Sequence, residues 1–275
     1  GKPFIEHYKH NDFKYRKSDI MAWLDADAAF DPDALIKSLI GVQSALGNHD
    51  SGSHQHKMAQ ILFTRQGCVR LTLDDGALLC LLPPGRAAWI PAGISHRAEM
   101  KNIVDYRSVW FQPQRYPQLP TQAAILNVVP LLRELLERIS ASPWDTDWEN
   151  EPARHLAALC QAEIRAAAQE PMMLALPQDK RLAQLSGDAL PPALGTLAAR
   201  CGASEKTISR LFRRDTGMSY QQWRQQWRLM KAVEMLATGQ RITDTAMALD
   251  FASDSAFIYF FRTMTGMTPG RYFAP

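Results

Sequence analysis

Three histidines and one glutamine in the first half of the chain have side chains and spacings that suit a ligand site. His54 and His56 flank Gln55, so both imidazoles lie on the same side if this segment is a β-strand. Gln60 follows, and His96 comes later, after a turn that contains proline and glycine. Three imidazoles suit Zn, Ni, Cu or Fe, although the neutral amide of Gln60 is a poorer ligand than a carboxylate. We interpret the four residues either as a divalent transition-metal site or as the lining of a metal-free barrel that holds an organic effector or merely packs.

Short strands are predicted around these four residues. Apolar or alternating runs are separated by turn signals such as Asp74-Asp75-Gly76 and Pro83-Pro84-Gly85. The runs lie at 61–63, 68–73, 78–82 and 108–111. Short strands at close spacing favour a small barrel or sandwich, and we assign residues 1–120 to this domain.

Residues 121–175 are predicted to form a linker and helices that promote dimerisation. One predicted helix, Ala123–Ser140, carries a broad apolar stripe, and an Ala-rich helix is predicted over Glu151–Glu170. The stripe consists of Ile125, Val128, Val129, Leu132 and Leu136. Because it is wider than a covering helix needs, we expect it to pack against a second subunit, with the chain's own barrel as the alternative partner.

The last hundred residues contain the same pattern twice. At one fixed offset, Leu211-Phe212-Arg213 aligns with Phe260-Phe261-Arg262, and Ser204 aligns with Ser253. Each copy predicts a short apolar helix, a tight turn, a serine N-cap and a second helix ending at Thr-Gly, which is the outline of a helix-turn-helix motif. With a long helix predicted over Tyr220–Ala237 between them, the two motifs define an all-α domain at 176–275. The whole chain is therefore predicted to be of the α+β class.

The distribution of charge favours a nucleic-acid ligand for this domain. The chain has a net charge of +3, yet residues 176–275 contain 13 Lys and Arg against 8 Asp and Glu. Basic residues concentrated on the repeated segment suit a phosphate-binding surface. The apolar stripes leave Lys206, Arg210 and Arg213 facing outward. Arg224 and Arg228 on the long helix are candidates for phosphate contacts, with an internal ion pair as the alternative for Arg228.

The first half of the chain resembles the cupin barrel. The pattern His54-x-His56, then Gln60 and Gly67, matches the first cupin motif, and Gly85, Pro91, Gly93 and His96 match the second. The resemblance implies a β-barrel with the histidines converging inside it. It also implies a competing function, a metal-dependent cupin enzyme such as an oxygenase or isomerase with a helical accessory domain. The chain has Gln60 where cupin enzymes usually carry a glutamate ligand, which favours a sensor over an enzyme, and we assign no catalytic residue.

Residues 190–273 resemble the DNA-binding domain of the AraC/XylS family of bacterial transcription regulators. The resemblance is carried by Ser255–Arg262 running into Thr265–Tyr272, and by Arg213–Ser219 in the first copy. A cupin-like sensor in front of this domain is the usual arrangement of the family. The resemblance places base contacts on outward positions of the two recognition helices. These positions are Lys206, Ser209 and Arg210 in the first copy, and Asp254, Ser255 and Tyr259 in the second.

The expected partners follow from this reading. They are double-stranded promoter DNA, RNA polymerase, a small-molecule or metal effector, and a second copy of the chain. The four cysteines (Cys68, Cys80, Cys160 and Cys201) form no CxxC pair, which favours free thiols in a reducing compartment. The sequence has no apolar run of membrane-spanning length and no signal-peptide core at its start, so we expect a cytoplasmic protein without membrane partners.

Overall fold

The computed structural model describes residues 23–24, 30–103 and 105–274, so the first part of the predicted barrel domain lies outside the described residues. The chain forms two units. The first contains the described residues up to Val69 together with residues 82–170. The second contains residues 70–81 and the described residues from 171 onward. Segment 121–170 therefore belongs to the first unit instead of forming a separate linker, and residues 70–81, predicted as barrel, group with the helical unit.

Antiparallel strands dominate the first unit. Seven of its strands form one sheet in the order β1-β2-β9-β4-β7-β10-β11, in which only the β1–β2 pair is parallel. Their bounds are β1 Trp23–Leu24, β2 Leu39–Ser44, β4 Ala59–Thr64, β7 Arg86–Ile90, β9 Tyr106–Phe111, β10 Ala124–Asn127 and β11 Gln169–Glu170. A separate ladder joins β3 (Gly47–Asp50) to β8 (His96–Ile103), with a register shift between Gly47 and His49.

The two faces of β4 have different partners, because successive side chains of a strand point to opposite sides. Ile61 and Phe63 belong to an apolar core shared with two helices, α1 (Pro130–Ser140) and α2 (Ala153–Ala166). Gln60 alternates with them and is paired with Trp110 across the β4–β9 ladder. Helices therefore cover one face of this sheet, whereas the other face carries the polar side chains of the candidate site.

The predicted helix Ala123–Ser140 is wrong at its start. Residues 124–127 form strand β10, which pairs with β7, and the helix begins only at Pro130, a residue suited to the first helical turn. The helix packs closely on β2: a Cβ on Gly41 would lie 2.3 Å from the carbonyl oxygen of Ile139.

The apolar stripe expected to bind a second subunit is mostly covered by the chain itself. Ile125, Val128, Leu132 and Leu136 are buried in the unit's own core, while Val129 is 44% exposed. Val128, Leu132 and Leu136 belong to the apolar core that covers one face of the sheet, whereas Ile125 lies in strand β10 of the sheet itself. The alternative partner, the chain's own barrel, is therefore the one observed for four of the five residues.

The second unit combines a short β-segment with six α-helices in its described residues. Strand β5 (Cys68–Leu73) enters this unit at Arg70, and β6 (Leu78–Leu82) pairs antiparallel with β12 (Met173–Ala175). This pairing ties residues 70–81 to the helical unit. The helices that follow are α3 Leu194–Arg200, α4 Glu205–Thr216, α5 Tyr220–Ala237, α6 Ile242–Ala248, α7 Asp254–Thr265 and α8 Pro269–Tyr272.

Both predicted helix-turn-helix motifs are present, α3–α4 and α6–α7. The side chain of Ser204 accepts a hydrogen bond from the backbone N–H of Thr207, and that of Ser253 accepts one from Ala256. Gly217 and Gly266 end α4 and α7 in the left-handed conformation, which glycine adopts without steric cost. The predicted α+β class, a sheet-rich domain followed by a helical domain with two such motifs, is confirmed. Of the described helices, none combines the length and apolar character required to cross a membrane.

Candidate functional site

The first recognition helix, α4, presents basic side chains on the side opposite its buried stripe. Ile208, Leu211 and Phe212 are buried, and the Phe212 ring packs edge-on against Tyr220 and Trp223 at centroid distances of 4.9 and 5.4 Å. The outward residues are Lys206, Arg210 and Arg213, which are exposed, and Ser209, which is half-buried. Within the described residues these three cations have no ionic partner, so their charge is available to a phosphate or a base.

Arg214, on the same helix, differs from these three cations. Its Nε donates to the Asp215 carboxylate at 2.6 Å, and the guanidinium beside it lowers the pKa of Asp215. The charge of Arg214 is therefore largely satisfied within the protein, which makes this residue a natural reference for its neighbours.

The second recognition helix, α7, exposes a less basic surface. Phe257 and Phe261 are buried, Ser255 is exposed and the Tyr259 side chain is 75% exposed. Asp254 is half-buried, and its carboxylate accepts a hydrogen bond of 2.7 Å from the Thr243 hydroxyl of α6. The structure thus presents Ser255 and Tyr259 outward, whereas Asp254 is engaged within its own motif.

The two arginines of α5 have different environments. The Nε of Arg224 donates to the carbonyl of Pro191 at 2.7 Å, and the residue is half-buried. Arg228 is buried and donates to the carbonyls of Leu249 and Asp250, so the phosphate contact considered for it is wrong. The internal ion pair considered as the alternative is not formed among the described residues either. Burial lowers the pKa of Arg228.

The three predicted site histidines do meet in the first unit. The backbones of His54 and His96 form two mutual hydrogen bonds, with N to O distances of 2.9 and 2.8 Å, and their ring centroids are 4.3 Å apart. His56 lies 4.8 Å from His96 by the same measure. One ligand atom from each imidazole lies within 4.8 Å of the others, so the cluster is compact enough to bind one ion.

Backbone carbonyls orient all three imidazoles. The Nδ1 atoms of His54, His56 and His96 lie 3.0, 2.6 and 2.9 Å from the carbonyl oxygens of Gly52, Met58 and Ile94. A carbonyl can only accept, so each Nδ1 carries the proton and each Nε2 keeps its lone pair. This is the tautomer that binds metals through Nε2, with the carbonyl as the outer hydrogen-bond partner.

Gln60 joins the cluster through its amide. Its Oε1 lies 3.1 Å from the Nε2 of His56, and its Nε2 donates to the Ser108 hydroxyl at 2.7 Å. With the proton of His56 on Nδ1, the lone pair of the His56 Nε2 faces a lone pair of the Gln60 Oε1. A cation between them resolves this conflict. Turning the amide resolves it too, because its NH₂ group then donates to His56 and its oxygen accepts from Ser108.

Burial favours the neutral form of His56 and His96. It lowers the pKa of His56 and lowers the pKa of His96 to about 4. Neutral imidazoles are the form that binds a metal or accepts a hydrogen bond from an organic ligand. The residues fit a divalent transition metal in number, tautomer and spacing.

Sequence reasoning missed three further polar side chains of this site. Ser108 bonds to Gln60, and Trp110 places its Nε1–H 3.4 Å from the Nε2 of His56. Tyr106 interacts with Ser108 and Gln60, and burial raises its pKa to about 12. All three lie on β9 at alternating positions. That alternation was the available signal, because it places them on the same face of a strand.

Comparison with known proteins agrees with both halves of the structure. A family model described as an AraC-like ligand-binding domain matches residues 39–169, and a helix-turn-helix domain model matches residues 197–274. The HTH-type transcriptional regulator NimR of Escherichia coli K12 is 30% identical over 227 residues, which cover 80% of this chain and 81% of NimR. The HTH-type transcriptional regulator RipA of Corynebacterium glutamicum is 35% identical over 71 residues, 26% of this chain and 22% of RipA.

Among solved structures, fatty-acid-bound ToxT from Vibrio cholerae is similar over 86% of this chain and 93% of its own, with 11% identity and a TM-score of 0.34. The identity to NimR and the two matched family models, in the order of the two structural units, decide the assignment. The chain belongs to the AraC family of transcription regulators, with an N-terminal ligand-binding domain followed by a DNA-binding helix-turn-helix domain.

Proposed function

We propose that this regulator places its two recognition helices, α4 and α7, in successive major grooves of promoter DNA. The observation that carries the proposal is the agreement between the two motifs. Each has a serine-capped recognition helix of 12 residues that ends at a left-handed glycine, with its apolar stripe buried and the opposite side exposed. A helix with one exposed polar side and a rigid support suits insertion into a groove.

The two helices have different roles in this proposal. On α4, Arg210 reads a base edge, Ser209 assists it, and Lys206 and Arg213 neutralise phosphates. On α7, Ser255 and Tyr259 read bases by hydrogen bonds and by contact with a thymine methyl group, while Asp254 holds the motif together through Thr243. Arg224 binds phosphate through the nitrogens that Pro191 does not engage.

Salt dependence of binding tests the phosphate contacts. The preferred duplex is first selected from a random pool by the full-length protein. Lys206→Ala and Arg213→Ala should then each reduce the slope of log affinity against log salt by about one unit. Arg214→Ala is the matched control, because it removes the same charge from the same helix but that charge is paired with Asp215. Equal effects of all three variants would show that the slope reflects net charge alone.

We further propose that the histidine cluster is the effector site and that it binds its ligand without turning it over. A divalent transition metal (Zn, Ni, Cu or Fe) would be held by the Nε2 atoms of His54, His56 and His96, with Gln60 nearby. Such an ion would supply charge and directional ligand bonds that hold the segment carrying His54 and His56 to His96 at the start of β8. An organic effector using the same Nε2 atoms as hydrogen-bond acceptors is the second candidate, supported by the polar side chains of Ser108 and Trp110.

The remaining partners follow from the role in transcription. We propose that RNA polymerase is recruited or blocked at the promoter, and that the protein acts on this DNA in the cytoplasm. We also propose a homodimer. Its support is a set of apolar side chains on α1 and α2, or directly before α1, that the chain leaves partly exposed: Val129 at 44%, Leu131 at 46% and Leu159 at 41%.

A further inference from the structure

The turn of the second helix-turn-helix motif differs from the turn of the first. Residues 202–203 separate the helix caps in the first motif, and residues 250–252 separate them in the second. Gly202 takes the left-handed conformation after α3, with φ of 60°. Asp250 takes the same conformation after α6, also with φ of 60°, although a residue with a Cβ adopts it at a cost. The second turn is longer and less favourable, so it needs an additional support.

Arg228 of α5 supplies that support. Its Nη2 donates to two consecutive carbonyls of the turn, those of Leu249 and Asp250, the latter at 3.0 Å. The guanidinium carbon lies 3.8 Å from the centroid of the Phe251 ring. Only 7% of Arg228 is exposed, so the residue contacts the turn and is withheld from solvent. The carbonyls it bonds lie at the C-terminal end of α6, where the helix dipole favours a cation.

Phe251 extends this support to the recognition helix. Its ring centroid lies 5.4 Å from that of Phe257 and 4.9 Å from that of Phe260, and both of these residues belong to α7. A continuous set of contacts therefore runs from α5 through Arg228 and Phe251 to α7. In the described part of the chain Arg228 has no carboxylate partner, and its Nε has no hydrogen-bond partner. The residue is committed to the turn and not to a surface charge network.

The shape of arginine matters here. A lysine ammonium has three N–H donors but no planar group to lie on a ring, whereas the guanidinium bonds both carbonyls and stacks on Phe251 at once. An apolar side chain of similar volume would fill the space but would leave the carbonyls of Leu249 and Asp250 without this donor.

We propose that Arg228 is a positioning residue for DNA recognition: by fixing the turn 249–252 it sets the orientation of α7 on α5, and so controls base reading by the second motif without touching DNA. The inference rests on the proposed insertion of both recognition helices. It assigns a specificity role to a buried residue that lies on neither helix.

The test compares base preferences of full-length variants. Arg228→Lys, Arg228→Met and the unaltered protein each select duplexes from a random pool, and Tyr259→Ala marks the block of positions read by α7. Gln221→Ala, an exposed change on the same helix, is the control. Arg228→Lys should flatten the α7 block, which means that base preference decreases at the positions read by α7, and should leave the α4 block intact. It should also weaken binding to the site preferred by the unaltered protein by about tenfold or more. Asp250→Gly added to Arg228→Lys should restore part of the α7 block, because glycine adopts the left-handed conformation freely.

Three outcomes would overturn the inference. An unchanged α7 block in both Arg228 variants would show that the turn needs no support, and an equal loss in both blocks would show a general effect on folding. A single block in the unaltered protein would refute the two-groove proposal itself, and would leave Arg228 nothing to position. If the Arg228 variants do not fold, Phe251→Leu removes the stacked ring and keeps both carbonyls. It should flatten the α7 block in part, and no flattening would overturn the inference.

Discussion

At the residue scale, DNA recognition depends on whether a cationic side chain is exposed without an ionic partner or is bound within the protein. Arg210 is exposed on α4 and has no ionic partner within the described residues, whereas Arg228 is buried against backbone carbonyls. Spacing along a helix separates outward from inward positions and so predicts an exposed cation such as Arg210. It cannot predict the role of Arg228, because the carbonyls of residues 249 and 250 reach α5 only in the folded motif.

At Arg210, replacement by alanine should cost about 1–3 kcal/mol of binding free energy and relax preference at one base position, because a bidentate contact with guanine is lost. Competition binding against a set of duplexes with single base changes measures both effects. A uniform loss across all duplexes would instead assign Arg210 to a phosphate.

For the histidine cluster, the change to make is His56→Ala, with metal content as the first readout. Removing one of three imidazoles should abolish stoichiometric metal in protein purified with the ion present, and should remove the effect of chelation on DNA binding. Basal DNA affinity should be preserved, because the helices that bind DNA are unchanged. Stoichiometric metal in His56→Ala, or metal-free unaltered protein with a normal regulatory response, would leave the organic effector as the occupant.

Secondary-structure elements were predictable where local signals agree. The long helix Tyr220–Ala237 was predicted at both ends, since a serine cap precedes it and its apolar positions repeat with helical spacing. Residues 124–127 were mistaken for helix because Ile125 and Leu126 fit either period, and only pairing with β7 makes them a strand. The grouping of residues 70–81 with the helical unit depends on the pairing of β6 with β12, which no local pattern reveals.

An ion cluster anchors β5 in the helical unit, and its stability should depend on pH. Arg70 bonds to Asp188 at 2.7 Å and to the buried Glu234 at 2.9 Å, while Lys231 bonds to Glu234 at 2.8 Å. Hydrogen bonding to Arg70 lowers the pKa of Asp188 from 3.8 to about 2. Asp188 therefore stabilises the fold at pH values above about 4, and this contribution is lost as the pH falls toward 2.

Replacing Arg70 with Met should reduce the free energy of unfolding by about 2 kcal/mol at neutral pH, because Glu234 loses a buried charged partner. The variant should also lose less stability than the unaltered protein between pH 4 and pH 2. Urea titrations at several pH values measure both effects, with Arg154→Met, which removes an exposed ion pair, as the control. If Arg70→Met and Arg154→Met lost equal free energy of unfolding, the ion pairs of Arg70 would contribute no more than an exposed pair.

At the scale of the whole molecule, the apolar surface proposed for a homodimer consists of side chains that the fold of the first unit leaves exposed. The sequence overestimated the dimer surface, because Val128, Leu132 and Leu136 pack into the core that covers the sheet and Ile125 is buried within the sheet itself. The side chains left exposed predict a smaller contact: Leu131→Glu should shift full-length protein toward the monomer in sedimentation at micromolar concentration. Glu134→Lys on the same helix is the control. A strict monomer before any change would rule out the homodimer.

The central claim, that both recognition helices bind DNA, is tested most directly by hydroxyl-radical footprinting of the full-length protein on its selected site. Two protected patches should appear about one helical turn apart, roughly 10 base pairs. Arg210→Ala should weaken one patch and Tyr259→Ala the other. A single patch that both variants weaken together, or the same protection on unrelated DNA, would contradict the account.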